Sequence, residues 1–343
     1  MFNPAKLLES VRNRVQSPTV ILLGSPRQVV DLVTHLEGDV TCYQMDLYQA
    51  DRLRAELSEL TLDPSVKTLP DLWDLEAKFQ TAIFPVSTHG ERELKVDLVE
   101  QAYHILAPEG LLLSLSEYQA DQLLPKWHKK IFGKCSELPS TRAGSIFWSH
   151  RGEEQAKRRH EQTFHAKLKE GIPHEFVSRP GVFSYGRFDD GARALLEVAE
   201  IRVGQSILDL GCGVGVVGVL AADQTGPEGS ITFVDSNVRA IQLAEMNARA
   251  NGVKQFQCVA THELQGLKPR SFDVILANPP YYATSSIAQL FIEKSKRLLK
   301  KGGRFYLVTK MLNAVAEIMM PIYPDTIAYE NRGYHVLVGT NTP

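Results

Sequence analysis

Apolar runs of strand length alternate with helical patterns along both halves of this 343-residue chain, and that alternation restricts the fold more than any single residue does. In the first half the runs lie near 19–23, 40–45, 80–85 and 110–115. In the second they lie near 206–210, 231–235, 255–259, 272–277 and 303–308, with helices such as 237–251 and 286–300 between them. Repeated strand–helix–strand order is the signature of a mainly parallel, doubly wound α/β sheet. The tail, Thr326 to Tyr329 and Tyr334 to Val338, alternates like an antiparallel hairpin at a sheet edge. A chain this long exceeds what one core usually organises, so two Rossmann-like domains are expected.

Three motifs in the second half carry chemistry. Ile207-Leu208-Asp209-Leu210 reads as a strand, and Gly211-Cys212-Gly213-Val214-Gly215 as a turn that lets backbone approach a ligand closely. Val216 to Ala222 then reads as a helix. Ser230 to Asp235 is a second strand ending in a carboxylate, where a doubly wound fold holds a ribose diol. The plainer reading of Asp235 is a helix N-cap, and the two roles are compatible. Phe272 to Ala277 is a third strand, followed by Asn278-Pro279-Pro280-Tyr281. Two prolines make a stiff loop without donors at 279 and 280 while keeping their carbonyl acceptors. An Asn amide oxygen and the Pro279 carbonyl can together hold both hydrogens of a planar NH2 group, and Tyr281 can lie on a flat base beside it. Tyr282 can share that task. The plainer reading of Tyr281 is a loop aromatic covering the core edge.

From Ile207 to Thr309 the chain resembles a class I S-adenosylmethionine (SAM) methyltransferase. Asp209, Gly211, Gly213 and Gly215 match that family's first motif, Asp235 its ribose-binding acid, and Asn278 to Tyr281 its amino-methylating motif. Gly213-Val214-Gly215-Val216-Val217-Gly218 also meets the dinucleotide spacing G-x-G-x-x-G, and the absence of a second dinucleotide-type signal favours SAM over NAD.

The approach segment is similar to that of the two-domain bacterial ribosomal RNA guanine-N2 methyltransferases acting on the small or large subunit. It reads Arg179-Pro180-Gly181-Val182-Phe183-Ser184, then Phe188-Asp189-Asp190-Gly191. The resemblance implies that Phe183 lines the SAM pocket and that Asp189 is the family's acidic position there. N-capping of the helix 191–199 is the equal alternative for Asp189. Two positions depart from the pattern. Thr261 and His262 stand where the family usually has Asn or Asp near the adenine, and Tyr281 stands where the ribosomal guanine enzymes commonly have Phe. Asn-Pro-Pro-Tyr alone does not choose guanine over adenine.

The first half echoes the second. Phe79 to Pro85 aligns with Phe272 to Asn278, and Leu106 to Leu111 with Leu299 to Arg304; 272 exceeds 79, and 299 exceeds 106, by the same 193. Any two α/β domains share some spacing, but the pattern suggests an internal duplication. The first copy keeps only Gly24 of the glycine turn and has Pro85-Val86-Ser87-Thr88 in place of the catalytic loop, so it is expected to be inactive. The expected organisation is a degenerate methyltransferase-like domain over 1–150, a basic linker over 151–172, and a catalytic domain over 173–343.

Net charge is −2, which does not advertise nucleic acid. Yet residues 126–170 hold eleven Lys or Arg against five Glu, an excess of six, densest at Lys157-Arg158-Arg159. Such a stretch is a solvated helix face or a strip that tracks phosphates. Ribosomal RNA or a ribosomal subunit is the expected partner, and a monomer the expected state. No apolar run nears the ~20 residues of a membrane helix. The N-terminus lacks a secretion-signal layout, and the four cysteines form no C-x-x-C pair. Cytoplasmic location without a metal is therefore expected. Three alternatives stay open: methylation of adenine N6 in RNA; methylation of a protein glutamine amide, against which the strand runs near 19–23 and 110–115 argue; and a non-catalytic ribosome-assembly factor, against which the intact Asp209, glycines, Asp235 and Asn278 argue.

Overall fold

A computed structural model describes residues 2–76, 78–153, 158–169, 171–279 and 285–342. They form two units, Met1–His160 and Glu161–Pro343.

The first unit contains β1 (Thr19–Leu22), β2 (Val40–Gln44), β3 (Ser65–Thr68), β4 (Phe79–Val86), β5 (Leu106–Ser116), β6 (Ser136–Glu137) and β7 (Ser145–His150). They lie in the order β3-β2-β1-β4-β5-β7-β6. The second unit begins with β8 (Gln162–Ala166) and β9 (His174–Ser178), which pair antiparallel as a separate two-stranded sheet. Its main sheet comprises β10 (Ser206–Leu210), β11 (Ser230–Asp235), β12 (Phe256–Ala260), β13 (Phe272–Ala277), β14 (Leu299–Thr309), β15 (Ile327–Asn331) and β16 (Tyr334–Thr340). Their order, β12-β11-β10-β13-β14-β16-β15, repeats that of the first unit strand for strand. In both sheets the first five strands of the order pair parallel, and the last two pairings, on either side of β7 and of β16, are antiparallel.

The continuous apolar runs follow from burial of both sheet faces. Ile207, Phe233, Val274 and Leu276 pack into one core layer of the second unit; Leu208, Leu210, Val234 and Ile275 pack into the other. The two units also share an irregularity. Phe79 pairs with Leu106 and Thr81 with Leu111; Phe272 pairs with Leu299 and Val274 with Arg304. A glycine sits at each bulge, and a side chain there would press on backbone carbonyls. A Cβ would lie 2.9 Å from the Phe79 oxygen at Gly110 and 3.0 Å from the Phe272 oxygen at Gly303. The spacing of 193 residues thus carries the same bulge and the same steric demand.

The stretch 151–172, expected as a linker, is in part a strand. Phe164 and Ala166 of β8 and Phe176 and Ser178 of β9 are buried. The interleaved charged and polar residues hide that alternation in the sequence, and the division between units falls after His160.

Candidate active site

The order of the second sheet reverses at β10, which lies between β11 and β13. At such a point the connections leave in opposite directions and open a crevice beyond the carboxyl ends of the strands. Leu210 pairs with Ala277, so the next residues on these neighbouring strands are Gly211 and Asn278. The glycine turn and the Asn-Pro segment therefore start side by side.

The turn uses its own donors internally. Gly211 and Cys212 N–H both donate to the Val234 carbonyl, at 2.8 and 3.0 Å, and Gly215 N–H donates to the Cys212 carbonyl. Gly213 N–H donates to Asp235 Oδ2 at 3.0 Å. Gly211, Gly213 and Gly215 all have positive φ, at 76°, 54° and 86°. A side chain at Gly215 would meet the backbone of Ala244 at 3.1 Å. At Gly218, in the first turn of the following helix Val216–Thr225, it would lie 2.3 Å from the Phe233 ring. Gly218 thus serves close packing of this helix on β11.

Asp209 is buried and accepts the Gly218 N–H at 2.8 Å. It thus meets the positive end of that helix from within the protein. Burial pushes its carboxyl up to about 7; the Gly218 bond opposes the shift and nearby Asp235 adds to it. A dinucleotide site offers its turn N–H groups and helix start to a pyrophosphate. Here those groups hold Asp235, Asp209 and the neighbouring strand.

Asp235 ends β11. Its two oxygens accept from Gly213 N–H and Asn237 N–H, at 3.0 and 2.9 Å, which fixes the carboxylate's direction. The N-cap role that Asp235 was open to falls to Asn237, whose side chain accepts from Arg239 N–H and donates to the Gly181 carbonyl at 2.8 Å. Fully buried Arg239 donates to the Pro180 carbonyl. Asn247 bonds both β9, through the Val177 backbone, and the Val214 carbonyl. These three polar side chains, the N-cap and two residues of the helix Val238–Ala250, tie the approach segment to the glycine turn.

Of the other expected residues, Phe183 is 42% exposed. Thr261 is buried; its N–H donates to the Asp235 carbonyl and its hydroxyl to Gln265. His262 is half-buried beside it. Asp189 caps the helix Asp190–Val198 by accepting Ala192 N–H at 2.9 Å, and the same oxygen accepts from Asn278 Nδ2 at 3.0 Å. A carboxylate only accepts, so this contact settles which end of the amide is nitrogen. Asn278 is half-buried and Pro279 buried. Arg158 and Arg159 are exposed. Pro280, Tyr281, Tyr282 and Lys157 lie outside the described residues. Burial pushes the Cys212 thiol well above its ordinary range, so it adds no thiolate to the turn.

Sequence reading missed Asn237, Arg239 and Asn247 as parts of this site. Asn247, a polar residue inside a helix that buries Leu243, Ala244 and Ala248, was the available signal.

Residues 173–338 match the model of the methyltransferase small domain. The chain is 34% identical over 157 residues to ribosomal RNA small subunit methyltransferase C of Hahella chejuensis, a match covering 45% of this chain and 43% of that one. It is 38% identical over 144 residues to ribosomal RNA large subunit methyltransferase G of Aliivibrio salmonicida, covering 39% and 37%. These matches span about half or less of each curated relative's length. Among solved structures, the T. thermophilus 16S rRNA N2 G1207 methyltransferase in complex with AdoMet and guanosine superposes with a TM-score of 0.77. That alignment has 19% identity and covers 98% of this chain and 91% of that one. This last likeness is one of fold and extends through both units. The match to the methyltransferase small domain falls wholly within the second unit.

Proposed function

We propose that the protein transfers a methyl group from SAM to the exocyclic N2 amine of a guanine in ribosomal RNA. The observation that carries this reading is the placement of Asn278 beside Gly211, at the carboxyl ends of paired strands. Gly211, Gly213 and Gly215 would pack against the methionine part of SAM, Asp235 would hold the ribose hydroxyls, and Thr261 and His262 would border the adenine. Phe183 would close the methionine end. When bound, SAM supplies an electrophilic methyl on a positively charged sulfur. The resemblance to guanine-N2 enzymes and the names of the curated relatives support the choice of ribosomal RNA.

The residues of the chain then have distinct tasks. The guanine N2 lone pair is delocalised into the ring, so the amine needs alignment more than it needs a strong base. The Asn278 side-chain oxygen and the Pro279 carbonyl accept its two hydrogens and stabilise the positive charge that grows on nitrogen. The proton becomes acidic as the new bond forms and leaves to water. Tyr281 and Tyr282 are assigned to stacking on the flipped base, with Pro280 shaping the loop.

The RNA backbone is assigned to the basic stretch. On the helix Leu123–Phe132 of the first unit, Lys126, Lys129 and Lys130 are exposed, as are Arg158 and Arg159. Lys157 belongs to the same assignment. On this reading the first unit binds RNA and no cofactor, and the enzyme works as a cytoplasmic monomer. No helix among the described residues is long and apolar enough to cross a membrane.

The test is incubation with methyl-labelled SAM and, separately, small subunits, large subunits, their naked RNAs and transfer RNA from cells lacking the gene. Labelled N2-methylguanosine in one ribosomal RNA is the expected product. Labelled N6-methyladenosine would overturn the substrate. No labelled RNA despite SAM binding would redirect the search to protein glutamine or to an assembly role.

A further inference from the structure

The geometry points to Asp189 as the positioning residue of methyl transfer, acting through Asn278 rather than on the cofactor. The inference rests on the function proposed above and deepens it.

Asn278 needs its side-chain oxygen, not its nitrogen, aimed at the substrate amine. An Asn at the end of a strand rotates about its terminal torsion in a broad, roughly two-fold well. Nothing in the side chain itself chooses the reactive face. Asp189 makes that choice. Its Oδ2 lies 3.0 Å from Asn278 Nδ2, across 89 residues of sequence. The wrong rotamer would set two oxygens against each other.

The carboxylate is itself held. It caps the helix Asp190–Val198 through Ala192 N–H at 2.9 Å, on the same oxygen. That helix is anchored by buried Ala192, Ala194, Leu195 and Leu196. Asn278 is therefore fixed to a rigid element of the core rather than to its own loop. A second consequence is electronic. Donation to an anion pulls electron density through the amide toward its oxygen and makes that oxygen a better acceptor for the developing ammonium.

The sequence resemblance assigns Asp189 to the cofactor, and the local pattern assigns it to capping. The three roles separate by substitution. Asp189→Ser keeps a strong N-cap, because a Ser hydroxyl also accepts the N3 N–H, but its side chain is one atom too short to reach Asn278 as well. Asp189→Asn keeps an oxygen that can accept both N–H groups. Each variant is compared with wild type in kcat, KM for RNA, SAM dissociation constant and Tm. The side-chain amide resonance of Asn278, assigned by its loss in Asn278→Ala, is followed by NMR.

Asp189→Ser should lower kcat by about 100-fold, the scale of a small misplacement of reacting groups. Tm and SAM affinity should stay within twofold-equivalent error, and the Asn278 amide signal should shift without RNA present. Asp189→Asn should recover kcat to within about tenfold of wild type, since it loses the charge but keeps the contact. Any of these kinetic and binding results would overturn the proposal: Asp189→Ser turning over within about threefold of wild type, its loss appearing in SAM affinity or Tm instead of kcat, or Asp189→Asn falling as far as Asp189→Ser. Wild-type protein that binds SAM but labels no guanine would remove the proposed function itself. An Asn278 amide signal that does not respond to Asp189→Ser would remove the positioning contact whatever the substrate proves to be.

Discussion

The two sheets have one strand order and the same bulge, yet their carboxyl ends differ in a consistent way. In the second unit five residues, Gly211 to Gly215, join β10 to its helix; in the first only Leu23, Gly24 and Ser25 lie between β1 and the helix Pro26–Val33. Leu23 N–H donates to the Tyr43 carbonyl as Gly211 N–H donates to Val234, so the two turns start alike. They then diverge. At the end of β2, where β11 has Asp235, stands Gln44, which donates to the Gly24 carbonyl at 3.2 Å. Asp235 accepts from its turn and Gln44 donates to its turn. The loop after β4 is closed by its own bonds: Thr88 gives both N–H and hydroxyl to Glu117, Tyr118 donates to the Thr88 carbonyl, and Lys95 to the Ser87 carbonyl. Strand order and bulge glycines keep the fold. Turn length and the donor or acceptor character of the strand-end residue are what differ between the two carboxyl ends.

The largest effect should come from Asn278, where the first unit has Pro85. Asn278→Ala should lower turnover at least about 100-fold while SAM still binds. Pro85→Ala, the corresponding change in the first unit, should leave turnover within twofold. Initial rates of label transfer measure both, and a comparable loss in Pro85→Ala would break the division of labour.

A middle-sized effect concerns packing. Gly218→Ala places a Cβ 2.3 Å from Phe233 and should cost the second unit about 1–3 kcal/mol. Hydrogen exchange should quicken in β10 and β11 and stay unchanged in β1 and β4.

The units should also respond to pH with opposite signs. Folding raises the Asp209 carboxyl from 3.8 to about 7, so the folded second unit binds the extra proton between those values. Its stability falls as pH rises through that window and levels off above it, by up to ~4 kcal/mol. Asp209→Asn, which still accepts the Gly218 N–H, should gain on wild type from pH 4 to pH 8. In the first unit, His128 is buried with Nδ1 and Nε2 each 2.9 Å from a serine hydroxyl, of Ser149 and Ser114. Ser149 gives its hydrogen to the Lys134 carbonyl, so Nδ1 carries the proton and Nε2 accepts from Ser114. Burial lowers this imidazole from 6.5 to about 3. Its contribution is complete above pH 6.5 and is lost as pH falls toward 3. Unit-resolved hydrogen exchange between pH 4 and 8 checks the contrast; parallel trends would contradict it.

The smallest effect should be none. Gln44→Asp restores an acid at the end of β2 but not the two missing turn residues, so calorimetry should still count one SAM per chain.

Legibility in the sequence followed the range of the interactions involved. Asp209, the three turn glycines and Asp235 were readable because a tight backbone approach demands residue types at fixed short spacing. The repeat of 193 residues was readable because the bulge needs glycine at the same step in both copies. Asn237 to Gly181, Asn247 to Val177 and Asp189 to Asn278 were not readable as contacts. They join residues 56, 70 and 89 positions apart, and no local pattern encodes such a meeting. The strand Gln162–Ala166 was hidden because its solvent face is polar and its flanks charged, which a composition argument reads as linker.

The most direct test of the account is to count and locate bound cofactor. Light-activated crosslinking of labelled SAM, followed by peptide mapping and by calorimetric stoichiometry, addresses both. The account predicts one site per chain, with label confined to peptides containing Phe183, Gly211 to Gly215 or Asp235. Two sites per chain, or label within residues 1–160, would contradict it.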